Sequence, residues 1–154
     1  MKFIVDSMLG RLARWLRVLG YDTLYFPHLD DDQLVRLARA EGRLLLTRDR
    51  GLVQRRGLQC LLVQSDDLEE QLGQVFVELA LTEEYAFSRC PICNTPLQKL
   101  EKTELEGRVP PHIFHTHQDF SLCPHCDKIY WPGTHWARMQ EKLAGCGIRG
   151  KEPE

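Results

Sequence analysis

The sequence predicts an α/β fold: a three-layer domain built on a parallel sheet, followed by a smaller domain organised by cysteines. Three observations carry this. Short, fully apolar runs alternate with stretches of helical periodicity up to about residue 85. An acid follows each of the first three runs, at Asp6, at Asp30 to Asp32 and at Asp49. Beyond residue 85 the periodicity gives way to two Cys-x-x-Cys pairs, and residues 86–154 hold five of the six cysteines and five of the six histidines. The charge changes with the composition, since residues 1–85 carry 11 Lys+Arg against 14 Asp+Glu, and residues 86–154 carry 9 against 8. Two domains, 1–85 and 86–154 with a C-terminal tail, therefore describe the chain better than one.

The elements follow in order. Phe3-Ile4-Val5 reads as a buried strand. Leu12, Trp15, Leu16 and Leu19 then recur at i, i+3, i+4 and i+7 until Gly20 stops a helix. Thr23 to Phe26 is a second strand, ended by Pro27. A helix from about Asp32 to Glu41 puts Leu34, Leu37 and Ala38 on one face, with Gly42 at its end. Leu44 to Thr47 and Leu58 to Val63 are the third and fourth strands. Asp66 to Leu79 shows the clearest apolar stripe (Leu68, Leu72, Val75, Phe76, Leu79), with Asp66 as its expected cap. Apolar strands separated by helices are the pattern of a parallel sheet covered on both faces.

Composition narrows the function class. With 43% hydrophobic and 27% charged residues, the chain can build a core. No apolar run approaches the roughly 20 residues needed to cross a bilayer, so no membrane partner is expected. Met1 to Val5 meets an acid at Asp6, which predicts no secretory leader and a cytoplasmic protein. A formal charge of -2 excludes an indiscriminately basic nucleic-acid binder and leaves local patches open.

In open α/β sheets, ligands bind beyond the carboxyl ends of the strands, where strand order reverses. Asp6, the Asp30 to Asp32 run and Asp49 are expected to converge on that edge. Gathered carboxylates repel one another unless a cation joins them, and oxygen ligands suit Mg²⁺ or Mn²⁺. Two of the three positions also have a plainer use, since Asp30 to Asp32 suit a helix cap and first turn and Asp49 suits a turn or an ion pair with Arg48 or Arg50, whereas an acid directly after a buried strand, as at Asp6, has few others. Arg11, Arg14 and Arg17 recur every three residues on the helix that starts just after Asp6. A cation, arginines and a helix N-terminus together describe a phosphate site. With no Walker loop or GxGxxG in the chain, a nucleic-acid phosphodiester is the expected anion.

Cys90-x-x-Cys93 and Cys123-x-x-Cys126, separated by 29 residues, predict a closed Cys₄ zinc site. Metal binding of that kind stabilises a small module by about 10 kcal/mol or more. Cys60 falls in a predicted strand and reads as a small apolar residue, and Cys146 reads as solvent-facing without a partner. Tyr130, Trp131 and Trp136 are expected to form a small core against the zinc site.

Phe3-Ile4-Val5-Asp6, the stretch Met8 to Arg17, Gly20-Tyr21-Asp22-Thr23 and Leu46 to Arg50 resemble the PIN-like ribonuclease domain of the Mut-seven C-terminal type. The second half fits the zinc ribbon that follows this domain in the family, through Arg89 to Asn94, Phe120, Cys123, Cys126 and Tyr130 to Trp136. The resemblance implies metal-dependent endonucleolytic cleavage of RNA. Its acidic positions are matched by Asp6, Asp31 and Asp49, with Thr47 in support; Asp31 is preferred over Asp30 because Asp31-Asp32-Gln33-Leu34 matches the family's acidic helix start. Arg11, Arg14, Arg17 and Arg48 are the expected phosphate contacts. The family commonly carries a fourth acid a few residues beyond the position of Asp49, whereas Arg50-Gly51-Leu52-Val53 offers none. That departure favours a single catalytic ion and keeps open an alternative, a noncatalytic RNA-binding or adaptor module with structural acids.

Overall fold

A computed structural model describes residues 1–145; Cys146 lies outside the described residues. The first sheet has four parallel strands, β1 (Lys2–Val5), β2 (Asp22–Tyr25), β3 (Leu44–Thr47) and β4 (Cys60–Leu62), in the order β2-β1-β3-β4. They alternate with α1 (Gly10–Val18), α2 (Asp31–Glu41), α3 (Arg50–Val53) and α4 (Leu68–Glu78). The predicted α/β class is what the structure has. The one-turn α3 had no periodicity to announce it, because four residues are too few to show a stripe.

Side-chain alternation along the strands divides the core into two layers. Phe3, Val5 and Leu46 point to the face covered by α1 and α4, where they meet Leu12, Leu16, Leu72 and Val75. Ile4 and Leu45 point the other way, to Leu34, Val35 and Ala38 of α2 and Leu52 of α3. The α4 cap is Asp67, whose side chain accepts from Glu70 N–H, one residue later than the sequence suggests. Gly20 follows α1 at φ +93°, and a Cβ there would lie 2.2 Å from the Tyr85 carbonyl oxygen, so the segment joining the halves packs directly on this turn.

The second half contains an antiparallel sheet of β5 (Gln98–Leu100), β6 (Phe120–Cys123) and β7 (Lys128–Tyr130), with α5 (Pro111–Thr116) in the long β5–β6 connection. Leu105, Val109 and Phe120 form its small core, with Trp131 packed against it. The last helix, α6 (Thr134–Gly145), returns to the first half, and its Trp136, Met139 and Leu143 join the α1–α4 core. Trp136 thus does not belong to a core at the cysteines; it meets Phe87 edge-on, with ring centroids 5.3 Å apart. Among the described residues, no helix is long and apolar enough to cross a membrane.

An edge strand exposes unpaired backbone groups that other chains can pair with. Here β2 is such an edge, and the first cysteine knuckle closes it: Asn94 Oδ1 accepts from Thr23 N–H at 3.1 Å, and Arg17 Nε donates to the Thr23 carbonyl at 2.8 Å. Gln74 of α4 covers the other edge, donating to the Leu62 carbonyl and accepting from Gln64 N–H, each at 2.8 Å.

Candidate functional site

The strand order reverses between β1 and β3: one connection leaves β1 for β2, and the next crosses from β2 over β1 to β3. Asp6 and Asp49 follow these two strands. Asp6 N–H still pairs with the Leu46 carbonyl at 3.1 Å, so the carboxylate stands where the sheet ends. It is 7% exposed and heavily hydrogen-bonded. Oδ1 accepts from Met8 N–H at 2.9 Å, and Oδ2 accepts from the Thr47 hydroxyl at 2.5 Å and Arg48 N–H at 3.1 Å. Thr47, fully buried, also accepts from Asp49 N–H at 2.9 Å. One hydroxyl therefore links the two acids across the switch point.

Asp49 caps α3, its Oδ1 accepting from Gly51 N–H at 2.8 Å. Asp30 caps α2 in a reciprocal capping box with Gln33, so its carboxylate is committed to the helix. Asp31, the first residue of α2, is exposed, and its carboxylate makes no hydrogen bond among the described residues. The oxygens of Asp6, Asp31 and Asp49 do not close on one point as the four cysteine sulfurs do; among the described residues only the cysteines form a group whose ligand atoms all lie within 4.8 Å of one another. Sequence reasoning missed Arg55, which pairs with Asp32 at 2.8 Å and whose charge is also felt by Asp31 and Asp49. Its guanidinium holds the Asp32 carboxyl below its ordinary range. The donor set is nonetheless all oxygen, which fits a hard divalent cation, and the free oxygens of Asp31 and Asp49 are available to one.

The four predicted arginines separate. Arg11 and Arg14 are exposed on α1 and make no ion pair among the described residues. Arg48 lies between Thr47 and Asp49 in the chain and reaches Asp6 through its backbone N–H, and its Nε is buried without a hydrogen-bond partner among the described residues. Arg17, expected as a phosphate contact beside Arg11 and Arg14, is turned away from them: it is 7% exposed, and besides Thr23 it donates to the carbonyls of Pro91 and Ile92 at 3.2 and 3.1 Å. The reason is helical geometry. Steps of three residues rotate by about −60° each, so Arg17 lies about 120° from Arg11 and has turned into the buried side. Burial lowers its affinity for the proton, and the neighbouring Cys90 and Cys93 sulfurs act in the opposite direction.

Cys90, Cys93, Cys123 and Cys126 form one cluster that can hold a zinc ion. The two knuckles supply the turns: Asn94, at φ +70°, donates to the Cys90 carbonyl, and Asp127, at φ +56°, donates to that of Cys123. Cys126 N–H points at Cys123 Sγ from 3.3 Å, and the Tyr130 hydroxyl lies 3.3 Å from Cys90 Sγ. Burial raises the Cys93 thiol, but hydrogen bonding to Thr95 and the neighbouring cysteines outweighs it and brings the group down to about 6. Hydrogen bonding to Cys93 pushes Cys126 up to about 12 and burial pushes Cys123 up, so in the absence of an ion the cluster favours one thiolate, at Cys93; its soft sulfur donors and geometry suit tetrahedral zinc.

A parallel α/β domain with acids at its switch point, joined to a four-cysteine ribbon, defines a nuclease-like class of protein. The chain matches the Mut7-C RNAse domain family over residues 1–143, and it belongs to that family. Comparison with curated proteins and with solved structures finds no match. The family assigns the chain a nuclease, RNA-related role.

Proposed function

We propose that the chain is a metal-dependent endoribonuclease that hydrolyses RNA phosphodiester bonds, with Asp6, Asp31 and Asp49 as ligands of Mg²⁺ or Mn²⁺. The observation that carries this is the Asp6–Thr47–Asp49 linkage at the switch point of a chain from an RNase family. A bound divalent cation supplies positive charge for the phosphate and lowers the pKa of water at neutral pH. The rest falls to the chain's own groups. Three donors hold Asp6 in one orientation, with Thr47 as a positioning residue. Arg48, between Thr47 and Asp49 in the chain, contributes its positive charge to the phosphate site. Arg11 and Arg14 meet the neighbouring phosphates, while Arg17 is occupied in holding the halves together. Zinc at the four cysteines is structural, since a closed Cys₄ site keeps no position for substrate.

The test is Asp6→Asn. It keeps the size of the side chain and removes its charge, so Mn²⁺-dependent cleavage of single-stranded RNA is expected to vanish; the amide offers one acceptor oxygen to three donors, so the variant is expected to unfold at a lower temperature than the wild type while staying folded at the temperature of the assay. Undiminished cleavage would overturn the site. The separation of the acids and the charge of Arg55 among them favour a second reading, a noncatalytic RNA-binding module. Metal titration decides between the two: RNA binding with neither Mn²⁺ uptake at these acids nor cleavage of any substrate selects the second.

A further inference from the structure

The chain has three tryptophans, Trp15, Trp131 and Trp136, and all three line one cleft of about 480 Å³ together with Phe87 and His135. A second cleft of about 410 Å³ shares Trp15 and His135 with the first and adds Arg11 and Arg138. The two adjoin as one groove between α1, α4 and α6. Each is within the range of roughly 300–1,000 Å³ typical of ligand sites. The groove starts at the catalytic edge of the sheet, because α1 begins four residues after Asp6 and α4 follows the end of β4. From Arg11 to Val18 it runs about 10 Å along α1, away from that edge. One wall comes from the RNase half and the other from the segment that follows the ribbon.

The groove carries charges of both signs, Arg11 and Arg138 on one side and Asp66, Asp67 and Glu69 on the other. Arg11 and Arg138 are exposed and make no hydrogen bond or ion pair among the described residues. The acids on the α4 side are partly committed: Asp67 caps α4, and Glu69 pairs with Lys142 at 3.4 Å; Asp66 stays exposed at the rim. The half-buried ring of Trp15 lines both clefts, and Trp131, half-buried against Phe120, lines the first. Aromatic faces interleaved with unpaired arginines are the arrangement that holds single-stranded nucleic acid, where stacking contributes about 1–3 kcal/mol per base. A duplex has no free base faces to offer and cannot use it.

We infer that the α1–α6 groove binds the single-stranded flank of the RNA whose phosphate lies at the switch point, with phosphates on Arg11 and Arg138 and bases on Trp15 and Trp131. This rests on the RNase reading of the site and extends it: α6 completes the substrate path, which gives the second half a part in recognition.

The experiment uses the full chain in the Asp6→Asn background, titrated with a labelled 12-nucleotide uridine-rich RNA at several KCl concentrations. Because all three tryptophans line the groove, their fluorescence reports it directly, and the single strand is expected to quench it while a 12-base-pair RNA duplex does not. Arg138→Ala, at an exposed position, is expected to unfold at the wild-type temperature, to weaken binding about tenfold, and to lower the slope of log affinity against log salt by about 0.7, one phosphate contact. An unchanged slope and affinity in both Arg138→Ala and Arg11→Ala would overturn the groove, as would equal quenching by the duplex. Failure of the nuclease reading looks different: with Asp6 intact the RNA quenches and shows the Arg138 effect, yet is never cut, and the groove stands without the activity.

Discussion

The Thr47 hydroxyl donates to Asp6 Oδ2 at 2.5 Å and accepts from Asp49 N–H at 2.9 Å, so a single buried side chain sets the positions of two acids that are 43 residues apart. Such a bridge exists because β1 and β3 are adjacent parallel strands: with Val5 opposite Leu46, the next residues on each, Asp6 and Thr47, reach the same edge together. Buried polar groups persist when every donor and acceptor is matched, and here the hydroxyl uses its one proton and one lone pair on groups that have few other partners.

Replacing Thr47 by Val keeps the volume and removes the bridge. Asp6 is left with two donors in place of three, and Asp49 N–H loses its acceptor. We expect a loss of about 1–2 kcal/mol in stability from the broken pairing and a 10–100-fold fall in RNA cleavage, the usual penalty for losing a residue that orients a ligand. Thr47→Ser restores the hydroxyl and should recover most of the rate. Single-turnover cleavage beside chemical denaturation checks both; a Val variant with wild-type cleavage would show that the bridge has no catalytic consequence.

Arg17 supplies a second prediction. Its guanidinium joins α1, the β2 edge and the first knuckle through the carbonyls of Thr23, Pro91 and Ile92. Removing it strips three buried or half-buried acceptors, so Arg17→Ala is expected to cost about 2–4 kcal/mol. Arg17→Lys should not rescue, because one ammonium cannot reproduce a planar fork. If Arg17 instead served as a phosphate contact, the Ala variant would keep its thermal midpoint and lose RNA affinity.

The same residue shows where the sequence was legible and where it was not. Periodicity locates α1, α2, α4 and the four strands, because each buries a continuous stripe whose spacing is fixed by local geometry. The two cysteine pairs are equally plain, since a knuckle is a local motif. What is missing in each case is a contact between distant parts of the chain. Arg17 reads like Arg11 and Arg14 until the knuckle is placed against it; Trp136 reads as ribbon core until α6 folds back onto α1 and α4; Arg55 has no visible relation to Asp32 until α3 turns the chain. Among the acids, Asp6 and Asp49 are brought into relation by strand order, whereas the roles of Asp30 and Asp31 are separated by a one-residue difference in where α2 starts.

Acid should loosen the contact between the halves through Asp22. Burial raises its carboxyl, but hydrogen bonds from Arg43 at 2.8 Å and Asn94 at 2.8 Å outweigh this and hold it below its ordinary value. A group whose folded pKa is depressed contributes stability that is present above its unfolded pKa of about 3.9 and is lost as pH falls through the folded value. Wild-type thermal midpoints should therefore decline from about pH 5 downward. Asp22→Asn should be less stable at neutral pH by about 1.5–3 kcal/mol and show a shallower decline, since its amide cannot titrate. Parallel slopes for the two proteins would remove Asp22 from the acid response.

Zinc removal tests how far the ribbon depends on its metal. Outside α6, which packs on the first half, the second half has a core of three fully or nearly buried apolar residues, Leu105, Val109 and Phe120, too few to hold residues 86–133 by burial alone. Purified protein is expected to carry one zinc per chain, and Cys93→Ser to lose it. Without the metal the first knuckle relaxes, and Asn94, next to Cys93, releases Thr23 N–H and the β2 edge. Amide exchange at β2 and at β5 to β7 should then accelerate, while β1 and β3, each flanked by strands on both sides, stay protected. A metal-free protein with native exchange throughout the ribbon would refute the zinc assignment; accelerated exchange confined to β5 to β7 would show that the knuckle protects β2 without needing its ion.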